Sequence, residues 1–182
     1  MAAYVKDTIR YSANYRQWKI LDNGPLRTSF QLTFDTWDAG GIKVKATKTI
    51  SLDAGSQLNR IENAYSFEDK KNLPVVVGII KRPKGGVLSL NEQQGVMGYW
   101  EPTSIKDGTT GVGTVLLTPV SNMLVGSAQM LAKTEVKNDE PIVYYSGAAW
   151  DKAGVITDSK QWFLYLDNFH QQLMEPLVIN VK

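Results

Sequence analysis

The sequence predicts a mainly β protein, an antiparallel β-sandwich with one amphipathic helix near its C-terminal end. Apolar and polar residues alternate strictly over residues 26–34, which is the pattern of a half-buried strand. Further short segments rich in aliphatic and aromatic residues follow, separated by turns that contain glycine, proline or asparagine. Apolar residues recur at the spacing of a helix only in residues 158–174. Short strands with a single helix are typical of two packed antiparallel sheets.

The first two strands are predicted to form a hairpin. Residues 26–34 and 42–50 both alternate, and the turn residues Gly40 and Gly41 lie between them. Lys48 is the exception, because it occupies a position of the apolar face. We therefore expect the second strand to end or to bulge at Lys48.

The remaining strands are shorter or more apolar. Residues 73–80 form a nearly continuous apolar run, which favours a central strand that is covered on both faces. The other predicted strands are residues 58–67, 87–90, 95–100, 111–118, 123–131 and 142–149, with a last one in the segment PLVINV that starts at Pro176.

The helix predicted over residues 158–174 has a defined start and one apolar stripe. Asp158 is a suitable N-cap, and Gln161 is its reciprocal capping partner. The stripe consists of Trp162, Leu166, Phe169 and Leu173, so we expect this helix to pack on a sheet. His170 borders the stripe and could serve as a general base, although a packed boundary residue is the favoured interpretation.

Composition excludes several classes of function. The chain has 182 residues, which fits a single domain over residues 1–182, and its net charge of +2 is close to neutral. Its basic clusters are not interleaved with aromatic residues, so no nucleic-acid partner is expected. No apolar run is long enough to span a membrane. With no cysteine, one histidine and no calcium-loop motif, the sequence predicts neither a metal nor a cofactor.

The glycines of DGTTGVG, residues 107–113, do not have the spacing of a phosphate-binding loop, and strand residues rather than a helix follow them. Without a helix N-terminus there is no set of amide donors for a phosphate. Asp107-Gly108 is therefore interpreted as a turn.

Aromatic and acidic residues near predicted strand ends are candidates for a sugar site. Aromatic faces stack on sugar rings, and carboxylates accept hydrogen bonds from hydroxyl groups. Two carboxylates can also act as acid and base on a glycosidic bond. The candidate catalytic residues are Glu101 and Asp151, and the candidate substrate-binding residues are Trp37, Arg60, Tyr99, Trp100 and Trp150.

Each of these candidates has a structural alternative. The tryptophans could fill the core, and the acids could cap turns. Arg60 and Glu62 lie on the same face of a strand and could form an ordinary surface ion pair. In a polysaccharide lyase, Arg60 could instead neutralise the carboxylate of a uronate.

Several phrases of the sequence together resemble an uncharacterised bacterial family. They are NGPLRTSFQLTFDTW, KATKTISLDAGSQLNRIE, GYWEPT, DGTTGVG and SGAAWDKAG. The family is common among Bacteroidetes, in gene clusters for polysaccharide utilisation. It is similar to the galactose-mutarotase-like β-sandwich, also called a supersandwich. Because members of the family are longer, this chain resembles their C-terminal half or a short form of the family.

The resemblance implies a carbohydrate context without supplying catalytic residues. A mutarotase pairs a histidine with a glutamate on sheet strands, whereas the one histidine here is on the predicted helix, so mutarotase activity is not expected. The leading hypothesis is a carbohydrate-binding or carbohydrate-active domain of a glycan-degrading system, of glycoside hydrolase or polysaccharide lyase type if it is an enzyme. Its partner would be an oligo- or polysaccharide.

A second hypothesis is a non-catalytic module that associates with a missing N-terminal half or with a second copy. The start of the chain lacks the pattern of a signal peptide. The glycan context nevertheless predicts a periplasmic or extracellular location.

Overall fold

The computed structural model describes residues 1–68, 70–83 and 85–177, which form thirteen strands and one α-helix. The strands are β1 (Ala2–Val5), β2 (Thr8–Arg10), β3 (Tyr15–Asn23), β4 (Arg27–Asp38), β5 (Lys43–Asp53), β6 (Leu58–Phe67), β7 (Asn72–Ile80), β8 (Val87–Asn91), β9 (Val96–Trp100), β10 (Thr110–Leu116), β11 (Asn122–Val125), β12 (Gln129–Lys137) and β13 (Ile142–Trp150). The helix α1 is Ser159–Met174, and a short 3-10 helix, Asp151–Ala153, follows β13.

The strands form two antiparallel sheets that pack as a sandwich. The five-stranded sheet has the order β11-β12-β7-β1-β2, and the eight-stranded sheet has the order β3-β4-β5-β6-β13-β10-β9-β8. The sheets share buried clusters, in which Leu73 and Val75 of β7 pack with Val44 of β5, and Met130 of β12 packs with Met97 of β9. The prediction of a mainly β antiparallel sandwich is confirmed.

The predicted hairpin is β4 and β5, which pair over almost their whole length. Asp38 shapes the turn, because its Oδ1 accepts hydrogen bonds from the amides of Gly40 and Gly41 at 3.0 and 2.9 Å. Both glycines have positive φ, 75° and 99°, which other residues adopt with strain.

The expected break at Lys48 is wrong. The register shift of this hairpin lies between Phe34 and Trp37, whereas Lys48 pairs regularly with Leu32 on one side and Asn63 on the other. The ladder is made by backbone groups, so a lysine does not interrupt it. Its aliphatic stem can also lie along apolar neighbours.

Strand β7 is central in its sheet, as predicted, and its second face is covered only in part. Val75, Val77 and Ile79 point into the sandwich and are buried. On the opposite face Val76 is 3% exposed, whereas Gly78 is exposed and Ile80 is 75% exposed at the end of the strand. The expectation of two covered faces therefore holds for the middle of β7 and fails at its end.

The strand predictions differ from the structure at three other places. Residues 123–131 are not one strand, because the turn at Gly126 divides them into the paired strands β11 and β12. The strands β1, β2 and β3 were not predicted, since residues 2–23 lack a clear alternation. Of the predicted last strand, Pro176 and Leu177 are not in a strand, and residues 178–182 lie outside the described residues.

The helix α1 packs on the outer face of the eight-stranded sheet, away from the five-stranded sheet. Asp158 caps it by accepting from the Gln161 amide at 2.9 Å, and the Gln161 side chain accepts from the Thr157 amide at 2.8 Å. Trp162 and Leu166 are completely or almost completely buried against β9 and β10. Glycines under the helix permit this close packing, because a Cβ at Gly113 would lie 2.6 Å from Leu166.

The two sheets differ in width, so one corner of the larger sheet is uncovered. The inward side chains of β3 and the far end of β5 extend beyond the smaller sheet. Trp18 is 65% exposed, Ile20 is 51% exposed and Leu52 is 41% exposed. We call these three side chains the uncovered corner.

Candidate functional site

The ends of β9, β10 and β13 meet at one end of the eight-stranded sheet. Antiparallel pairing places Trp100 opposite Gly111, and Thr110 opposite Trp150. The Glu101 amide donates to the Thr110 carbonyl at 2.9 Å. The sequence pairs Trp-Glu at 100–101 and Trp-Asp at 150–151 are thus brought to the same sheet end.

This end carries a cavity of about 560 Å³, which we call the loop-end cavity. Its polar centre is an ion pair between Arg82 Nε and Glu101 Oε1 at 2.9 Å. The cavity is lined by Arg82, Pro83, Glu101, Pro102, Thr103, Ser104, Asp107, Gly108 and Thr110. Its walls therefore combine a guanidinium, two carboxylates and several hydroxyl groups.

Arg82 reaches this cavity from the other sheet, because it follows the end of β7. The hydroxyl of Tyr99 accepts a hydrogen bond from the Arg82 amide at 3.0 Å. Tyr99 itself is completely buried between the sheets. This buried tyrosine holds the arginine at the cavity rather than lining it.

The loop between β9 and β10 is held by its own hydrogen bonds. Ser104 and Gly108 exchange two backbone hydrogen bonds of 2.9 Å, and the Ser104 hydroxyl donates to the Asp107 carboxylate at 3.0 Å. This confirms the predicted turn at Asp107-Gly108. The Trp150 indole donates to the Asp107 carbonyl at 2.7 Å, and 48% of Trp150 remains exposed. An aromatic face is therefore fixed beside the cavity.

Asp151 lies beneath this loop and does not line the cavity. Its amide donates to the Thr109 carbonyl at 3.0 Å, and its carboxylate lies against Gly108. Its Oδ1 is buried and has no hydrogen-bond partner within the described residues. Of the two predicted catalytic carboxylates, Glu101 alone lines the cavity.

Tyr99 and Trp100 do not offer sugar-stacking faces. Adjacent residues of a strand point to opposite faces, and both faces are covered here. Tyr99 is 0% exposed between the sheets, and Trp100 is 8% exposed beneath α1. The expectation that Tyr99 and Trp100 bind a sugar together with the other aromatic residues is therefore wrong.

Trp37 and Arg60 lie away from the loop-end cavity. Trp37 packs edge-on to Tyr65, with ring centroids 6.5 Å apart, at the inner face of the large sheet. Arg60 Nη2 lies 2.8 Å from Glu62 Oε2 in an ion pair on β6. The structure therefore places Glu101 in the lining of the cavity and Trp150 and Asp151 against the loop beside it, and it leaves the other predicted residues elsewhere.

The sequence did not indicate Arg82, Thr103, Ser104 or Asp107 as site residues. Arg82 belongs to a short basic cluster at the end of β7, and nothing in the sequence shows that β7 ends beside β9. Thr103 ends the phrase GYWEPT, and Ser104 and Asp107 follow it, so proximity to Glu101 in the sequence was the available signal.

Other possible functional groups are less informative. His170 is partly buried on α1, and its Nδ1 has no hydrogen-bond partner within the described residues. Among residues 1–68, 70–83 and 85–177, no three His, Cys, Asp or Glu side chains cluster in a way that could hold a metal. No helix of the described part is long and apolar enough to cross a membrane.

Comparison with known proteins gives a family and a fold. The family model described as "Domain of unknown function (DUF4861)" matches residues 1–179. "Uncharacterized protein P7" of Formosa agariphila is 28% identical over 186 residues, which cover 97% of this chain and 45% of that protein. The chain therefore spans about half the length of this curated relative.

A solved structure shares the fold. The protein described as "Putative kojibiose phosphorylase from human microbiome" superimposes with a TM-score of 0.60 and 13% identity, over 81% of this chain and 21% of the other. At this identity the likeness concerns the fold alone.

Proposed function

The chain belongs to the DUF4861 family, and we propose that it is a carbohydrate-binding or carbohydrate-active domain of a bacterial glycan-degrading system. The observation that carries this proposal is the loop-end cavity. There Arg82, Glu101 and the loop hydroxyls face one space, and the exposed Trp150 is fixed beside it.

The chemistry of this cavity suits a sugar. Sugar hydroxyl groups both donate and accept hydrogen bonds, so they need a site with both kinds of partner. The guanidinium of Arg82 donates, the carboxylates of Glu101 and Asp107 accept, and the hydroxyls of Thr103 and Ser104 do both. Trp150 adds a flat apolar surface for a sugar ring.

A catalytic role is proposed for Glu101 before Asp151. Glu101 lines the cavity, where its carboxylate could take a proton from the sugar, as a polysaccharide lyase requires, or from an attacking water, as a glycoside hydrolase requires. Asp151 would act through Gly108 by holding the loop. The proposal includes binding without turnover, because the two carboxylates of the cavity can accept sugar hydrogen bonds without acting as acid and base.

A glycan screen tests the proposal. We expect at least one plant or algal oligosaccharide to raise the melting temperature, and we expect Glu101→Gln and Trp150→Ala each to weaken that effect. Leu164→Ala is the control, because Leu164 is 59% exposed but lies on α1, away from both the cavity and the uncovered corner. Trp100→Ala is unsuitable, since removal of a buried tryptophan tests folding instead of binding.

Two results would contradict the sugar site. In one, no glycan of the panel changes the melting temperature of the wild-type protein. In the other, both variants respond to glycans as the wild type does. A glycan that binds unchanged to both variants would use another part of the molecule.

The uncovered corner favours a second candidate function, a module that associates through its sheet. Trp18, Ile20 and Leu52 expose apolar surface next to the edge strand β3, and exposed sheet edges pair readily. A second copy, or the further polypeptide of a longer protein, would cover this surface.

Light scattering after gel filtration tests this candidate. Association with a second copy predicts a mass of twice 20.3 kDa, reduced to the monomer mass by Trp18→Lys. Gln17→Lys is the control, because Gln17 is exposed on the opposite face of the same strand. A wild-type monomer at all concentrations would contradict association with a second copy. A periplasmic or extracellular location stays a prediction of the glycan context.

A further inference from the structure

Lys48 is an inward-pointing lysine in the middle of β5. It lies between Leu32 of β4 and Asn63 of β6 in the ladder, on the face that elsewhere forms the core. Within the described residues no carboxylate pairs with it, and its Nζ lies 5.6 Å from the centre of the Phe34 ring. An ammonium group in this position loses hydration without gaining an ion pair.

Lys48 lines a second cavity, of about 170 Å³, which we call the Lys48 pocket. It lies where the inner face of the large sheet meets the N-terminal strands. Its lining residues include Tyr11, Phe34, Trp37, Lys48, Asn63 and Tyr65. The volume is several times the roughly 30 Å³ that one water molecule occupies.

Two more polar atoms of this pocket are buried without hydrogen-bond partners in the part of the chain that the structure describes. They are Trp37 Nε1, a donor, and Asn63 Oδ1, an acceptor on a side chain that is 1% exposed. The Asn63 amide nitrogen donates to the Tyr65 hydroxyl at 3.2 Å. Exchanging the oxygen and nitrogen of this amide would leave the nitrogen unpaired instead, so Asn63 keeps one unpaired atom either way.

Unpaired buried polar atoms are rare in folded proteins, and each requires a partner. Here a cation, a donor and an acceptor lie around one cavity, whose lining also includes the aromatic residues Phe34 and Tyr65. We propose that the Lys48 pocket binds a small hydroxylated carboxylate, the size of a single sugar acid.

Each group of the pocket has a role in this assignment. Lys48 pairs with the carboxylate, the Trp37 indole donates to a ligand oxygen, and Asn63 accepts from a ligand hydroxyl. The rings contact the apolar face of the ligand. Burial lowers the pKa of Lys48, so a bound carboxylate would raise that pKa by favouring the charged form.

The assignment does not depend on the loop-end cavity, since the two cavities share no lining residue. NMR of the five tryptophan indole N–H groups distinguishes them. Titration with D-glucuronate should shift the Trp37 signal, which Trp37→Phe identifies by its loss. A shift confined to Trp150 would overturn the assignment and would place the ligand at the loop-end cavity.

D-glucose and acetate are the two comparison ligands. Glucose lacks the carboxylate and acetate lacks the hydroxyl groups, so each should bind at least about tenfold more weakly than glucuronate. Equal binding of acetate would overturn the sugar-acid assignment, because it would show a general anion site. If millimolar glucuronate leaves the Trp37 indole signal unchanged, the pocket holds only water and the assignment is wrong.

A matched pair of variants tests the lysine itself. Lys48→Met preserves the length of the side chain and removes the charge, so glucuronate binding should fall by at least about tenfold. Lys45→Met is the control, because Lys45 is exposed on the opposite face of the same strand. Unchanged binding to a folded Lys48→Met protein would overturn the assignment, and the wild-type titration remains decisive if that variant does not fold.

Discussion

At the scale of single residues, position in a strand decides whether a side chain is available. Tyr99, Trp100 and Glu101 are consecutive, yet they lie in the core, beneath the helix and at a cavity. Lys48 is the opposite case: it is a charged residue, and the regular alternation of β5 places its side chain on the inner face of the sheet. The residue type predicted a break in the strand, and the backbone ladder prevails.

The environment of Lys48 predicts a pH-dependent stability. Burial lowers the pKa of Lys48 below the ordinary lysine value of 10.5, so the unfolded chain binds more protons than the folded chain between the two pKa values. Stability should therefore rise as the pH rises toward 10.5, and it should be lowest where both forms are charged. Tyr11, Tyr65 and the Met1 amino group, whose pKa burial lowers to about 5, also face the pocket.

Lys48→Met should remove the rise in stability between pH 8 and 9, which comes from Lys48. The Met1 amino group, whose pKa burial lowers from 8.0 to about 5, adds a rise below pH 8 in both proteins. Without ligand, the variant should be more stable than the wild type at pH 7, by about 1 kcal/mol, because an unpaired charge is no longer desolvated. Urea denaturation at pH 7, 8 and 9 measures this difference, with Lys45→Met as the exposed control. Equal stability of the wild type and Lys48→Met at pH 7 would show that the ammonium is well solvated.

At the scale of elements, strands and helices with a strong hydrophobic periodicity were predicted correctly from the sequence, and those with a weak periodicity were not. The predicted strand 58–67 coincides with β6, and the helix begins one residue after its predicted cap. All nine residues of β3 are exposed, so no buried face imposes an alternation on its sequence. The sequence predicts β11 and β12 as one strand, because apolar residues lie on both sides of the short turn at Gly126.

The packing of α1 predicts a marked contrast between two leucines. Leu166→Ala should destabilise the protein by about 2–5 kcal/mol, because Leu166 is 1% exposed and its removal leaves a cavity over Gly98 and Gly113. Leu164→Ala should change stability by less than about 0.5 kcal/mol, since Leu164 is 59% exposed on the same helix. Thermal or chemical denaturation measures both, and equal losses would contradict this packing.

At the scale of the whole molecule, the candidate site depends on contacts that span both sheets. Glu101 and Trp150 could be predicted as candidates because aromatic and acidic residues adjoin there in the sequence. Their meeting depends on the pairing of β9, β10 and β13, and Arg82 arrives from the other sheet. Such long-range pairing leaves no local pattern in the sequence, which explains why Arg82 was missed.

The unequal sheets predict unequal protection of the backbone. Amides of β3 should exchange with solvent at least about tenfold faster than those of β6, because β3 is an exposed edge and β6 is paired on both sides. Hydrogen exchange followed by NMR at low protein concentration measures this ratio. Equal protection of β3 and β6 would mean that another surface covers the edge strand in solution.

The corner that extends beyond the smaller sheet is supported on one side only. Its uncovered part carries Trp18, Ile20 and Leu52, and the sheet is covered again where β4, β5 and β6 pass under the N-terminal strands. Phe34, Lys48 and Asn63 belong to these three strands and line the Lys48 pocket there. The ladder places Trp18 opposite Leu32 and Leu32 opposite Lys48, so a partner that covers the corner would lie on the same strands as a ligand of the pocket.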